Sequence, residues 1–270
     1  MTRWHRFTQA WIYVSFFEFF NNVSAAYRMF YALFQSICSV TLMNTASEAM
    51  LSAQPHKINP DKVFFWKKSP SAGVLTGIKT LLFFLALVPF IRLVWLAFHD
   101  GLGANPIEFI TRSTGWWTLV FLCITLTITP LRKLAGLPWL LKLRRMLGLF
   151  SFFYVALHFT TYLWFDQMFE LASIAKDIWQ RPFITVGFAA FMLLIPLALT
   201  SFNKAIKWLG GKRWQSLHKL IYLIVPLGVL HFFWMKAGKN LWVEPLIFAL
   251  IVALLLGWRV WSYQHNKRSI

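Results

Sequence analysis

Six stretches after residue 78 each approach the roughly 20 apolar residues that a helix needs to cross a ~30 Å hydrocarbon core. They cover residues 80–98, 114–130, 146–165, 182–200, 217–235 and 241–258. Such a run leaves few folds open, because in lipid every backbone polar group must find its partner inside its own segment or a closed barrel. The expected fold is therefore all-α, an integral membrane bundle of six helices. Glycine and proline punctuate the connections, with Gly101, Gly103 and Pro106 after the first span, Gly136 and Pro138 after the second, and Gly210 and Gly211 after the fourth. No soluble domain fits between the spans.

Composition matters here for what it excludes. The 270 residues carry a formal charge of +18, a balance that in a soluble protein would suggest nucleic acid. The basic residues are instead spread between apolar spans, so no nucleic-acid partner is expected, and membrane lipid is the surrounding phase. Two alternate connections hold the charge. Residues 131–145 contain Arg132, Lys133, Lys142, Arg144 and Arg145, residues 201–216 contain Lys204, Lys207, Lys212 and Arg213, and neither has an acid. The opposite connections hold Asp100, Glu108, Asp166, Glu170, Asp177 and Glu244. Positive loops face the cytoplasm, which places both ends of the six-helix unit inside. Cys38 and Cys123 lie far apart in apolar surroundings and form no disulfide framework, and no C-x-x-C-H is present, so a haem would be held by ligation alone.

Residues 1–72 read differently from the rest. The apolar stretch 11–43 is interrupted by Glu18, Asn21, Asn22 and Arg28. It fits a poor extra helix, an interfacial aromatic segment, or an extension upstream of a later start at Met43 or Met50. No function is placed on it, and residues 263–270 are read as a cytoplasmic tail.

Chemistry is carried by three histidines inside apolar sequence, His158, His218 and His231, since ionisable residues within a membrane usually mark a functional site. Neutral imidazole is a common metal ligand, and histidines facing each other across a bundle hold haem iron. His158 lies about twelve residues along the third span, and His231 at a similar depth in the fifth, which runs the same way. His218 is thirteen residues earlier, roughly 20 Å below. Two levels follow. The outer one offers His158 and His231 to a b-type haem between the third and fifth helices. The inner one offers His218, opposite Arg144.

Fourteen residues separate Arg144 from His158, four turns less about 40°, so the two share a face, whereas thirteen residues leave His218 and His231 about 140° apart on an ideal helix. Pro226 between them permits a kink or a change of winding. The plainer readings are an interfacial histidine for His218, interhelical hydrogen bonds for His158 and His231, and a topogenic charge for Arg144. A proton-coupled transporter or channel would use the same His and Arg as a relay, but the six spans hold no acid apart from Glu244 at the outer start of the sixth. A stand-alone ferric or quinone reductase would need a flavin and NADPH domain, either fused, for which the tail after Trp261 is too short, or separate and supplied in trans.

Residues 73–262 resemble the MsrQ (YedZ) family, haem-binding membrane subunits of bacterial protein-methionine-sulfoxide reductases within the ferric reductase-like transmembrane superfamily. The resemblance rests on Gly101-Leu-Gly-Ala-Asn-Pro106, Ile128-Thr-Pro-Leu131, Arg144-Arg-Met-Leu-Gly-Leu149 leading to Leu157-His158, Arg181-Pro182, and Gly211-Lys-Arg-Trp-Gln-Ser-Leu-His218 continuing to His231. It implies that His158, His218 and His231 are haem-linked and that Arg144 matches the family's unusual arginine. It also implies one or two haem b groups, FMN, a multi-pass position in the bacterial inner membrane, and electron delivery to MsrP, a periplasmic molybdopterin enzyme that repairs oxidised methionine. The implied donors are the quinone pool or a cytosolic flavin reductase. An electron-transfer subunit of this kind turns over no methionine sulfoxide itself. No Gly-rich phosphate loop places the FMN: the 204–213 connection could serve its phosphate and reads equally as a topology signal, and the acids Asp100, Glu108, Asp166 and Glu170 read either as partner contacts or as plain solvated surface.

Overall fold

The computed structural model describes residues 69–238 and 240–268. The readings of the stretch 11–43, of Cys38 and of a later start fall outside these residues. Among the described residues the chain is helical throughout, without a strand, and six helical stretches are long and apolar enough to cross a membrane.

The long helices are α1 (Ala72–Phe98), α2 (Pro106–Ala135), α3 (Leu141–Thr161), α5 (Pro182–Leu199), α8 (Ile221–Ala237) and α9 (Val243–Arg268). Three short ones lie between them: α4 (Leu171–Gln180), α6 (Asn203–Leu209) and α7 (Gly211–His218). A 3-10 turn, Pro138–Leu140, leads into α3, and a π-helical turn, Tyr162–Asp166, closes it. The fifth crossing, Gly211–Ala237, is α7 and α8 together.

The first two long helices begin earlier than hydropathy alone indicates, because polar caps extend them past the apolar stretch. Ser71 Oγ accepts from Val74 N at the start of α1. Asn105 Oδ1 accepts from Glu108 N while Asn105 Nδ2 donates to Glu108 Oε2, which satisfies donors that the first turn of α2 would leave open. At its other end α2 runs on through Pro130 to Ala135, where the sequence reading stops at the proline. A proline inside a membrane helix costs one hydrogen bond that neighbours can re-satisfy.

One helix organises the others. Half of the apolar stretch of α2 is buried, against 17% for α1 and for α9. Its two faces enter two separate cores. Leu119, Leu122 and Leu126 pack with Leu194 of α5, Ile224, Val225 and Phe232 of α8, and Val252 of α9. Phe121 and Ile128 pack with Ala86 of α1 and with Leu143, Leu147, Phe150 and Tyr154 of α3. Tyr154 is fully buried and its hydroxyl donates to Ala86 O at 2.7 Å, which ties α3 to α1. The remaining apolar surface of α1, including Leu81, Phe84 and Trp95, is exposed, as expected of a face turned to lipid tails.

At the end of the bundle away from the basic connections, Lys236 is buried against Glu244 at 3.1 Å and joins the end of α8 to the start of α9. Asp177 of α4 accepts from Gln167 Nε2 at 2.8 Å and pairs with Arg181, the residue before α5.

Candidate functional site

His158 sits in the last turn of α3 and His231 in the middle of α8, and their ring centres are 6.1 Å apart with the planes inclined at 75°. The sequence reading placed these two at one depth, and the fold brings them face to face. Both are held by the same device. His158 Nδ1 bonds Thr111 O of α2 at 2.8 Å, and His231 Nδ1 bonds Phe183 O of α5 at 2.7 Å. A carbonyl can only accept, so each Nδ1 carries the proton and donates it. The lone pair is then on Nε2 of both rings, the tautomer that a metal requires.

This pair suits a haem iron. Two metal–nitrogen bonds of about 2 Å in line, plus the distance from each ligating nitrogen to its ring centre, put facing imidazole centres roughly 6 Å apart. The surroundings reinforce the placement. Thr161 Oγ1 donates to His158 O at 2.7 Å and accepts from Thr111 Oγ1 at 3.1 Å, so the α2–α3 contact is locked beside the ring. The π-helical turn begins at the next residue, Tyr162, a feature often found at functional sites.

Two glycines complete the site, and the sequence reading missed both. A Cβ built on Gly115 of α2 would come within 3.1 Å of the His158 ring, and one on Gly187 of α5 within 2.6 Å of His231 Nδ1. Each glycine lies one helical turn after the carbonyl that holds the histidine. Their spacing from the histidines was the available signal, but it has meaning only once the helices are paired.

The other level lies at the basic end. His218 closes α7, stacks on Trp214 with ring centres 4.0 Å apart, and bonds Trp214 O through Nδ1 at 3.0 Å. Its Nε2 is buried without a hydrogen-bond partner. Arg144 of α3 is close enough to act electrostatically on both His218 and Arg259 of α9.

The change of winding between His218 and His231 is not at Pro226, which stays inside α8. It is at Lys219 and Leu220, where successive bonds run from Lys219 N to Ser216 O, Leu220 N to Leu217 O, Tyr222 N to Lys219 O and Leu223 N to Leu220 O. Bonds of this i to i−3 kind wind the chain about 20° more per residue than an α-helix. Over this stretch that removes roughly 80° of the ~140° mismatch between His218 and His231.

Arg259 and Tyr222 were also missed by the sequence reading. The Arg259 guanidinium bonds the Tyr222 hydroxyl through Nη1 and Leu126 O through Nη2 at 2.9 Å, while its Nε is buried without a partner. The Arg132 Nε is orphaned in the same way. This end therefore holds buried donors in excess of acceptors, which suits a ligand carrying carboxylate or phosphate oxygens. Beside it, Lys79, Lys142, Arg145 and Asn203, with Leu141, Met146 and Leu149, line an open cavity of about 470 Å³. Cations over an apolar floor fit a phosphate-bearing ring system such as FMN. Asn203 Oδ1 accepts from Arg145 Nη1 at 2.6 Å.

Comparison with known proteins identifies the family. Residues 114–229 match the family described as "Ferric reductase like transmembrane component". A protein of Herminiimonas arsenicoxydans named "Protein-methionine-sulfoxide reductase heme-binding subunit MsrQ" is 60% identical over 201 residues, which is 74% of this chain and 92% of that protein. Proteins with the same name from Polaromonas naphthalenivorans and Ralstonia nicotianae are 58% and 57% identical, over 75% and 72% of this chain and 90% of each of them. Six apolar helices and a transmembrane family together make the chain a multi-pass membrane protein.

Proposed function

The chain belongs to the MsrQ family of ferric reductase-like membrane proteins, and from that premise we propose that it carries electrons through a haem to a periplasmic methionine sulfoxide reductase. The observation that carries this reading is the His158 and His231 pair, 6.1 Å apart with both Nδ1 atoms committed to carbonyls. A proton relay needs a nitrogen free to exchange its proton with the next group. These rings are instead fixed in one tautomer, which favours ligation over transport.

In this reading residues 73–262 form the haem domain and the basic end faces the cytoplasm. His158 and His231 hold a haem b toward the periplasmic side, which supplies a one-electron couple where no soluble reductant reaches. His218, with Arg144, forms the inner level where electrons enter from quinol or from a cytosolic flavin reductase. Arg259 and Arg144 offer charge to acidic groups of whatever cofactor occupies that level, a second haem included. FMN is assigned to the cavity lined by Lys79, Lys142, Arg145 and Asn203. The acceptor is an MsrP-type molybdopterin enzyme on the far side, docked near Asp100, Glu108, Asp166 and Glu170. The protein repairs no methionine by itself.

The test is the dithionite-reduced minus oxidised visible spectrum of the purified membrane protein from haem-supplied cells. A sharp b-type α band supports the reading, and a colourless protein ends it.

A further inference from the structure

The two histidine seats are one construction made twice. In each, a histidine donates through Nδ1 to a carbonyl on the membrane span immediately before its own, 47 residues upstream for His158 and 48 for His231. In each, a glycine follows that carbonyl by four residues, Gly115 after Thr111 and Gly187 after Phe183, and the imidazole lies against it. The second and third spans thus build for His158 what the fourth and fifth build for His231.

A carbonyl acceptor fixes where Nδ1 points but leaves the ring free to tilt about that bond. Contact with the glycine backbone removes this freedom, since no side chain could stand between ring and helix. We propose that Gly115 and Gly187 are positioning residues of the haem site, which set the rotation of the two axial imidazoles and hold their planes near perpendicular, 75° in this structure. The inference rests on the haem reading above and adds a property to it, the relative orientation of the two ligand planes.

The seats differ in tightness. At Gly187 the ideal Cβ would fall 2.6, 2.8 and 3.0 Å from Nδ1, Cε1 and Cγ of His231, closer than real Cβ contacts come, and the atom it meets is the one bound to Phe183 O. The ring must leave its seat. At Gly115 the nearest atoms of His158 are at 3.1 Å, so a shift of a few tenths of an ångström relieves the contact and the ring tilts in place. Gly228 provides a control inside the same bundle: its Cβ would meet only Leu119 Cδ2, the end of a flexible side chain, also at 3.1 Å.

Ligand orientation has a direct readout. Parallel imidazole planes act on the same iron π orbital and split the pair, giving a rhombic low-spin ferric spectrum. Perpendicular planes act on both orbitals alike, and the near-degenerate pair gives a single feature at large g. The experiment is electron paramagnetic resonance on oxidised, haem-loaded full-length protein, with haem content measured alongside, for wild type and for Gly115→Ala, Gly187→Ala and Gly228→Ala.

The expected results are a large-g feature in the wild type and its loss in Gly187→Ala. Gly115→Ala should keep its haem but show a shifted g, and Gly228→Ala should show no change. A rhombic wild-type spectrum overturns the proposal, as does an unchanged spectrum in both seat variants at full haem content, or an equal shift in Gly228→Ala. In those three cases the haem reading stands. Wild-type protein without haem overturns both. Should Gly187→Ala fail to accumulate, Gly115→Ala decides.

Discussion

The two histidine levels of this bundle are built on opposite principles. Around His158 and His231 the protein fixes both rings: each Nδ1 has a carbonyl, each ring has a glycine beneath it, and Thr111 and Thr161 close the contact between their helices. At the basic end, Arg259 and Arg132 each keep a buried Nε–H without an acceptor, and His218 keeps a buried Nε2 without any partner. A buried polar group left without a partner costs about 1–3 kcal/mol, and charged groups cost more. The first level is oriented by the protein alone, with both Nε2 atoms left open, and is suited to holding one cofactor in one orientation. The second is completed only by something that brings acceptors to it, as expected where electrons arrive from a partner.

Breaking the first level should have the largest effect. His158→Ala and His231→Ala each remove a proposed axial ligand, and each should lose haem by more than the ~10–100-fold in metal affinity that loss of an outer partner costs a metal site. Haem content and the reduced α band measure this, and a wild-type band in either variant would show that the facing pair is not the ligand set. Next comes His218→Gln. It should leave the outer low-spin spectrum intact while slowing reduction of the haem by a quinol analogue or reduced flavin, followed by stopped flow. If it erases the outer spectrum as fully as His231→Ala does, the two levels are a single site.

Stability changes sharpen the comparison further. Arg259→Leu strands the Tyr222 hydroxyl and Leu126 O, and is expected to destabilise the detergent-solubilised protein by about 1–3 kcal/mol. Arg259→Lys should not restore it, because an ammonium cannot fork to both acceptors. A melting temperature unchanged in Arg259→Leu would mean that this end tolerates its unmatched groups without the clamp. The smallest effect is expected of Tyr154→Phe, which deletes one bond to Ala86 O made one helical turn before His158 and directed to α1. It should cost about 1 kcal/mol, a fall of roughly 2–4 °C, and, because the bond is made to α1, should bring no change in the position of the visible bands.

Much of this was readable before the fold was known, for specific reasons. Lipid demands a fixed length of apolar helix, so the six crossings were evident from hydropathy, though their ends were not. Asn105 and Glu108 start α2 before the apolar stretch by a side-chain cap, and Pro130 fails to stop it. The amphipathic α4 and the short helices α6 and α7 were passed over as connections. His158, His218 and His231 stood out as ionisable groups in apolar sequence, and counting rise along two spans gave their depths. Gly115 and Gly187 did not stand out, because glycine is common in membrane helices. Arg259 sits close enough to the end of α9 to pass for an interfacial charge. The mismatch in angle between His218 and His231 pointed to a break, but Pro226 was the wrong residue to hold responsible.

What the sequence determined by itself is therefore the class of fold, the number of crossings, the two depths and the residues with ligand chemistry, since each follows from a period or a rise along a single helix. What only the tertiary structure decided is which nitrogen of each imidazole is free and which glycines it rests against. It alone also decided which end of the bundle is left with donors unmatched. Those are properties of pairs of helices. A carbonyl on one span fixes a ring on the next, and no local pattern records a contact made 47 or 48 residues away.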